Sequence, residues 1–179
     1  MAGGFRKGKR PTESGTSPRQ QQVAVEFFGT SVAQQPVSNR RGDVAYEARI
    51  DIQAAPELLW RLQSNVGDWP RWDASLARAE ADGPFADGAR VTMHMADGII
   101  VSTLRDVREN ACFSDEVAVD GHLIRVHHRL SALPAGGTQV LYRAEITGPR
   151  AAQWGERVTG DFPQVLAALK TLAEGLARP

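Results

Sequence analysis

Between residues 76 and 147 the chain turns back on itself again and again, and its turn chemistry leaves few folds open. Asp97-Gly98 and Asp120-Gly121 are two-residue hairpin signals, because a mirror-image turn needs positive φ at its centre. Gly83-Pro84-Phe85-Ala86-Asp87-Gly88, Glu109-Asn110 and Pro134-Ala135-Gly136-Gly137 supply further turns. Between them lie short strand-like runs at 76–81, 90–95, 99–107, 112–119, 122–133 and 138–146. Six short strands joined by tight turns predict an antiparallel meander.

One more strand precedes the meander. Val44, Tyr46, Ala48, Ile50 and Ile52 alternate with Ala45, Glu47, Arg49 and Asp51, the pattern of a half-buried strand. A helix is predicted from Pro56, where proline's missing N–H costs nothing. Glu57 complements its positive end, and Leu58, Leu59 and Leu62 give it a buried side. Gly67 and Pro70 interrupt it, so a second, very short helix or turn carries Trp69 and Trp72. The last segment, 151–177, repeats Val158, Phe162, Val165, Leu166, Leu169, Leu172 and Leu176 at helical spacing. Pro163 is expected to kink it, with the firmer half following.

A chain of 179 residues with 42% hydrophobic content fits one domain with a tail. The domain is expected to span 42–179. The tail, 1–41, is rich in Gly, Ser, Gln, Pro and Arg and is expected to be disordered. Within it Val23-Ala24-Val25-Glu26-Phe27-Phe28 is a candidate strand or docking segment. Arg6, Lys7, Lys9, Arg10, Arg19, Arg40 and Arg41 make the tail basic against Glu13 and Glu26. Over the whole chain 21 basic residues meet 21 acidic ones, which gives no reason to expect nucleic acid. No apolar run approaches a membrane span, and one cysteine, Cys112, excludes a disulfide within the chain. A cytoplasmic protein of unknown oligomeric state is expected.

Strand parity selects the inward side chains. On 122–133 the arginines 125 and 129 belong to solvent, so His128 faces inward with Ile124, Val126 and Leu130. On 138–146 Tyr142 faces inward with Val140, Ala144 and Ile146. A short loop joins these two strands, so His128 and Tyr142 should project from neighbours. They are candidates for a polar anchor or a general acid/base pair; a histidine and a tyrosine satisfied in the core is the competing reading. His127 takes the inward place if the register slips by one. Met93 and Met95 share a face, as do Phe113, Asp115 and Val117. Phe162, Leu166 and Leu169 should meet them from the helix. No H-E-x-x-H, paired-cysteine, P-loop, G-x-G-x-x-G or G-x-S-x-G pattern is present, so neither metal nor cofactor is expected.

These motifs carry a resemblance. Ala55-Pro56-Glu57 leading to Trp60, Asp68-Trp69-Pro70-Arg71-Trp72, Gly83-Pro84-Phe85 with Gly88, Gly137-Thr138, Gly148-Pro149 and Leu169-Lys170-Thr171-Leu172-Ala173-Glu174 stand in order. With them the chain from Val44 to Ala177 resembles the START-like, Bet v 1-like helix-grip (SRPBCC) superfamily. Within it the chain is most similar to the bacterial polyketide cyclase/dehydrase and lipid-transport group. The resemblance implies an α+β fold, in which a curved antiparallel sheet of about seven strands wraps a long C-terminal helix. Two short helices follow the first strand. It also implies an internal cavity for a small hydrophobic or aromatic molecule, lipid- or polyketide-like. Trp60, Trp72, Met93, Met95, Phe113, Asp115, Val126, Phe162, Leu166 and Leu169 are the candidate lining. A cyclase or dehydratase using His128 and Tyr142 without metal is a second reading, and a protein-interaction module is a third.

Overall fold

The computed structural model describes residues 35–38 and 44–178. The candidate docking run 23–28 lies outside them. Among the described residues eight strands form one antiparallel sheet. They are β1 (Gln35–Ser38), β2 (Val44–Ile52), β3 (Leu76–Ala81), β4 (Arg90–Met95), β5 (Gly98–Arg108), β6 (Cys112–Val119), β7 (His122–Ala132) and β8 (Thr138–Thr147). The spatial order is β1-β2-β8-β7-β6-β5-β4-β3. The meander from β3 to β8 therefore pairs in sequence, and β2 closes onto β8. β1 lies in the segment read as tail and adds an edge to β2, with Gln35 opposite Glu47.

Of the two Asp-Gly pairs only Asp120-Gly121 forms the turn its chemistry favours; Gly98 (φ 154°) already stands opposite Met95 at the start of β5, so the β4–β5 turn is Ala96-Asp97. At the β6–β7 hairpin Asp120 and Gly121 have φ of 49° and 76°, which places Val119 opposite His122 and fixes every later pair of the two strands. Register shifts between Leu76 and Arg78 and between Arg105 and Arg108 mark bulges. Such insertions bend a strand and increase its twist.

Helix α1 (Pro56–Ser64) begins with proline in its first turn and buries Leu59 and Leu62. A 3₁₀ turn, Val66–Arg71, follows and buries Trp69, whose indole N–H donates to the Gln63 carbonyl at 2.8 Å. The terminal segment is in three pieces: a 3₁₀ turn Ala151–Trp154, α2 (Gly155–Thr159) and α3 (Phe162–Ala177). The interruption between α2 and α3 falls at Pro163, where a kink is expected, and the longer piece follows it. It sits in the first turn of α3, where its missing N–H and its ring prevent the turn of α2 from running on unbroken through the right-handed Gly160 and Asp161.

Helix α3 buries Phe162, Val165, Leu166, Leu169 and Ala173 and packs chiefly on β2 and α1. Each fully buried leucine there stabilises the fold by roughly 1.5–3 kcal/mol. Polar contacts hold its C-terminal half in place. Lys170 Nζ donates to the Asp51 carbonyl at 2.6 Å, and Gln53 N donates to Glu174 at 2.9 Å. Because α3 is held at the β2 side, the sheet from β4 to β7 is covered unevenly.

Candidate functional site

Directly opposed residues of an antiparallel pair share a face. The inward row is therefore Met93 and Met95 on β4, Ile100, Ser102 and Leu104 on β5, Phe113, Asp115 and Val117 on β6, and Val126 and His128 on β7. Along this row burial changes with height. Next to α1 it is complete: Val91 and Leu104 are 0% exposed and Phe113 is 2% exposed. Toward the β4–β5 and β6–β7 hairpins Met93, Met95, Val117 and Val126 are only half-buried, and Ile100 is 37% exposed. The concave side is fully packed at one end; at the other a strip of inward apolar residues, hereafter the cleft, stays partly exposed.

The solid end is filled by rings. Phe85 meets Phe113 at 4.9 Å, Phe113 stacks on His128 at 4.2 Å and 5°, His128 meets the edge of Tyr142 at 4.3 Å, and Tyr142 reaches Phe162 of α3 at 5.7 Å. This corrects the expectation of an enclosed hollow between sheet and helix: aromatic side chains occupy its middle. Tyr142 has room because its partner across the sheet is Ala48 and the next inward residue is Ala144, both 0% exposed.

At the boundary of the two halves lies a polar pair. Asp115 Oδ2 is 2.8 Å from His128 Nε2, and the two side chains are 14% and 11% exposed. A carboxylate only accepts, so Nε2 carries the proton. In the neutral ring Nδ1 then holds a lone pair; this atom is buried with no partner among the described residues. Burial pushes the Tyr142 hydroxyl well above the usual tyrosine range, and the charges of Asp73 and Asp115 add to it, against an opposing hydrogen bond from Trp72. Asp161, just before α3, is also raised, by burial and then by Asp73. The cleft is thus apolar, with acidic groups at its inner end.

The sequence-predicted residues divide between the two halves. Met93, Met95, Asp115 and Val126 border the cleft, with His128 and Tyr142 at its inner end. Trp72, Phe113, Leu166 and Leu169 are in the packed core, at 5%, 2%, 0% and 0% exposure, and Phe162 closes the ring series. Trp60 is elsewhere: it is half-buried against Phe85 and Phe113 and borders a shallow surface recess of about 390 Å³ with Asp87, Val107 and Glu109. His127 points outward to Ser114 and Glu145. Sequence reasoning did not single out Val117 or Ile100 as lining, nor Ser102, whose buried hydroxyl has no partner among the described residues. It also missed that Asp115 and His128 meet. Counting outward from the Asp120-Gly121 turn would have put them on one face, two residues out of step. Among the described residues no three His, Cys, Asp or Glu side chains gather as a metal site requires.

A sheet gripping a C-terminal helix, with a cleft on its concave side, defines the START-like helix-grip class. Residues 43–174 match the family described as polyketide cyclase / dehydrase and lipid transport, and the chain belongs to that family. No curated protein matches the sequence. Among solved structures, a conserved protein of unknown function from Enterococcus faecalis superposes with a TM-score of 0.61 at 16% identity, over 82% of this chain and 80% of that one. The di-domain ARO/CYC StfQ of the steffimycin biosynthetic pathway gives 0.63 at 16% identity, over 77% of this chain and 53% of that one. A START superfamily protein from Mycobacterium smegmatis gives 0.59 at 13% identity, over 74% and 98%. At these identities the likeness is one of fold.

Proposed function

We propose that this protein binds a small hydrophobic or aromatic molecule, lipid- or polyketide-like, in the open half of the concave face. One observation carries the reading: inward-facing Met93, Met95, Ile100, Val117 and Val126 are left partly exposed on the side where a folded core is normally closed. Exposed apolar surface at the concave centre of a sheet is costly unless something covers it. Methionines add adaptability, since their unbranched chains refit around different guests. Family membership supports the same reading.

Titration with the apolar dye N-phenyl-1-naphthylamine tests it. Binding should raise the dye's fluorescence, and Val117→Arg should abolish the rise while thermal unfolding stays cooperative. Equal binding by the variant would refute the cleft as the site.

A second reading, a cyclase or dehydratase, is favoured by the Asp115–His128 pair beside Tyr142. Asp115 would orient His128 as a base, and Tyr142 would stay protonated to donate to a carbonyl or enolate oxygen. Positioning a flexible chain in a cleft supplies much of the rate advantage in such ring closures. Loss of turnover on a poly-β-ketone substrate in His128→Ala, with binding retained, would support it; full turnover would eliminate it.

A further inference from the structure

We infer that the guest carries a neutral hydroxyl group, an alcohol or a phenol, and that the cleft excludes carboxylates such as free fatty acids. The inference rests on the binding role proposed above and adds the chemistry of the guest's polar end.

Two acceptors stand on the inward face beside the partly exposed apolar residues: Asp115, 14% exposed, and the buried Nδ1 of His128 behind it. Asp115 uses Oδ2 on His128, and no further partner of its carboxylate is present among the described residues. With a neutral ring His128 spends its N–H on Asp115, and what it has left to offer is the lone pair of Nδ1, itself unpartnered among the described residues. A hydroxyl can donate to either. A carboxylate can donate to neither and would face Asp115 directly; the Tyr142 hydroxyl is a neutral donor and leaves that repulsion in place.

No cation is at hand to offset that repulsion. The inward positions of β4 to β8 hold no lysine or arginine. Arg105 and Arg125 pair with Glu116 on the outer face, and Arg143 pairs with Glu47 and Glu145 there. Lys170 is committed to Asp51 and Glu174. The charges that raise Tyr142 are those of Asp73 and Asp115, both acidic, and the other ionisable neighbour, His128, is already paired with Asp115. An ammonium would find anions, but it would lose its water against Met93, Met95, Val117 and Val126, a cost a hydroxyl largely avoids.

Three naphthalenes of one shape test this on the full chain at pH 7 by isothermal titration: 2-naphthol, 2-methoxynaphthalene and 2-naphthoate. The naphthol should bind about tenfold or more tighter than the ether, because a site built to accept a hydrogen bond rejects the analogue that lacks the donor. The naphthoate should bind most weakly. In Asp115→Asn, which keeps the shape and removes the charge, naphthoate should gain about tenfold and the preference for naphthol should shrink. Should Asp115→Asn fail to fold, the ranking on the unaltered protein decides alone. Equal affinity for all three, or naphthoate binding tightest, overturns the inference and leaves the cleft reading standing. No binding of any of the three overturns both.

Discussion

Asp115 and His128 are two residues out of step across the β6–β7 hairpin, yet carboxylate and imidazole meet at 2.8 Å. Phe113, directly opposite His128, makes this possible. Its ring lies flat against the imidazole and turns the ring edge toward Asp115. A double-mutant cycle with Asp115→Leu and His128→Leu should therefore return a coupling of about 1–3 kcal/mol, the range of a charge-assisted hydrogen bond. Urea denaturation of the four proteins measures it. A coupling near zero would mean the two groups do not interact in solution.

The two ends of the concave face should differ in what truncation costs. Leu166→Ala or Leu169→Ala removes methyl groups from a fully covered site and should cost about 2–5 kcal/mol. Met95→Ala, at the open end, should cost under about 1 kcal/mol. Similar costs at both ends would show that the open end is closed in solution.

The tryptophans should rank by cover. Trp69 is 8% exposed and ties its indole N–H to Gln63, so Trp69→Ala should cost about 3–5 kcal/mol. Trp60, half-buried and touching Phe85 and Phe113 by its edges, should cost clearly less. Chemical denaturation of both variants gives the order, and the reverse order would contradict the placement of α1.

Tyr142 gives a pH signature. Its folded-state pKa lies above the unfolded value near 10, so the folded protein retains the proton longer. The stability tied to it is complete below about pH 10 and is lost as pH rises toward the folded value. Denaturation midpoints followed from about pH 8 to 11 should fall more steeply in the unaltered protein than in Tyr142→Phe. Parallel curves would show that the hydroxyl is not buried.

Much of this was legible in the sequence, for identifiable reasons. The Asp120-Gly121 turn and the alternation of β7 and β8 define strand order and faces, which puts His128 and Tyr142 on adjacent strands. What failed depended on longer range. Pro163 marks where the terminal helix is interrupted, but local pattern does not show that the part before it splits into a 3₁₀ turn and the short α2. The enclosed hollow was expected from the fold alone, but whether rings fill such a space depends on side-chain contacts between strands and helix. Phe85, from the β3–β4 turn, packs on Phe113 and Trp60, and no periodicity announces that a turn residue will reach inward.

Methyl NMR on the methionines tests the central claim most directly. Met93 and Met95 supply two of the chain's three methionine methyl groups, and both border the cleft. Titration with 2-naphthol should shift both signals in saturable fashion, with one dissociation constant. Unmoved methionine signals alongside demonstrable binding would put the guest at another place, such as the recess beside Trp60, and would contradict a cleft on the concave face.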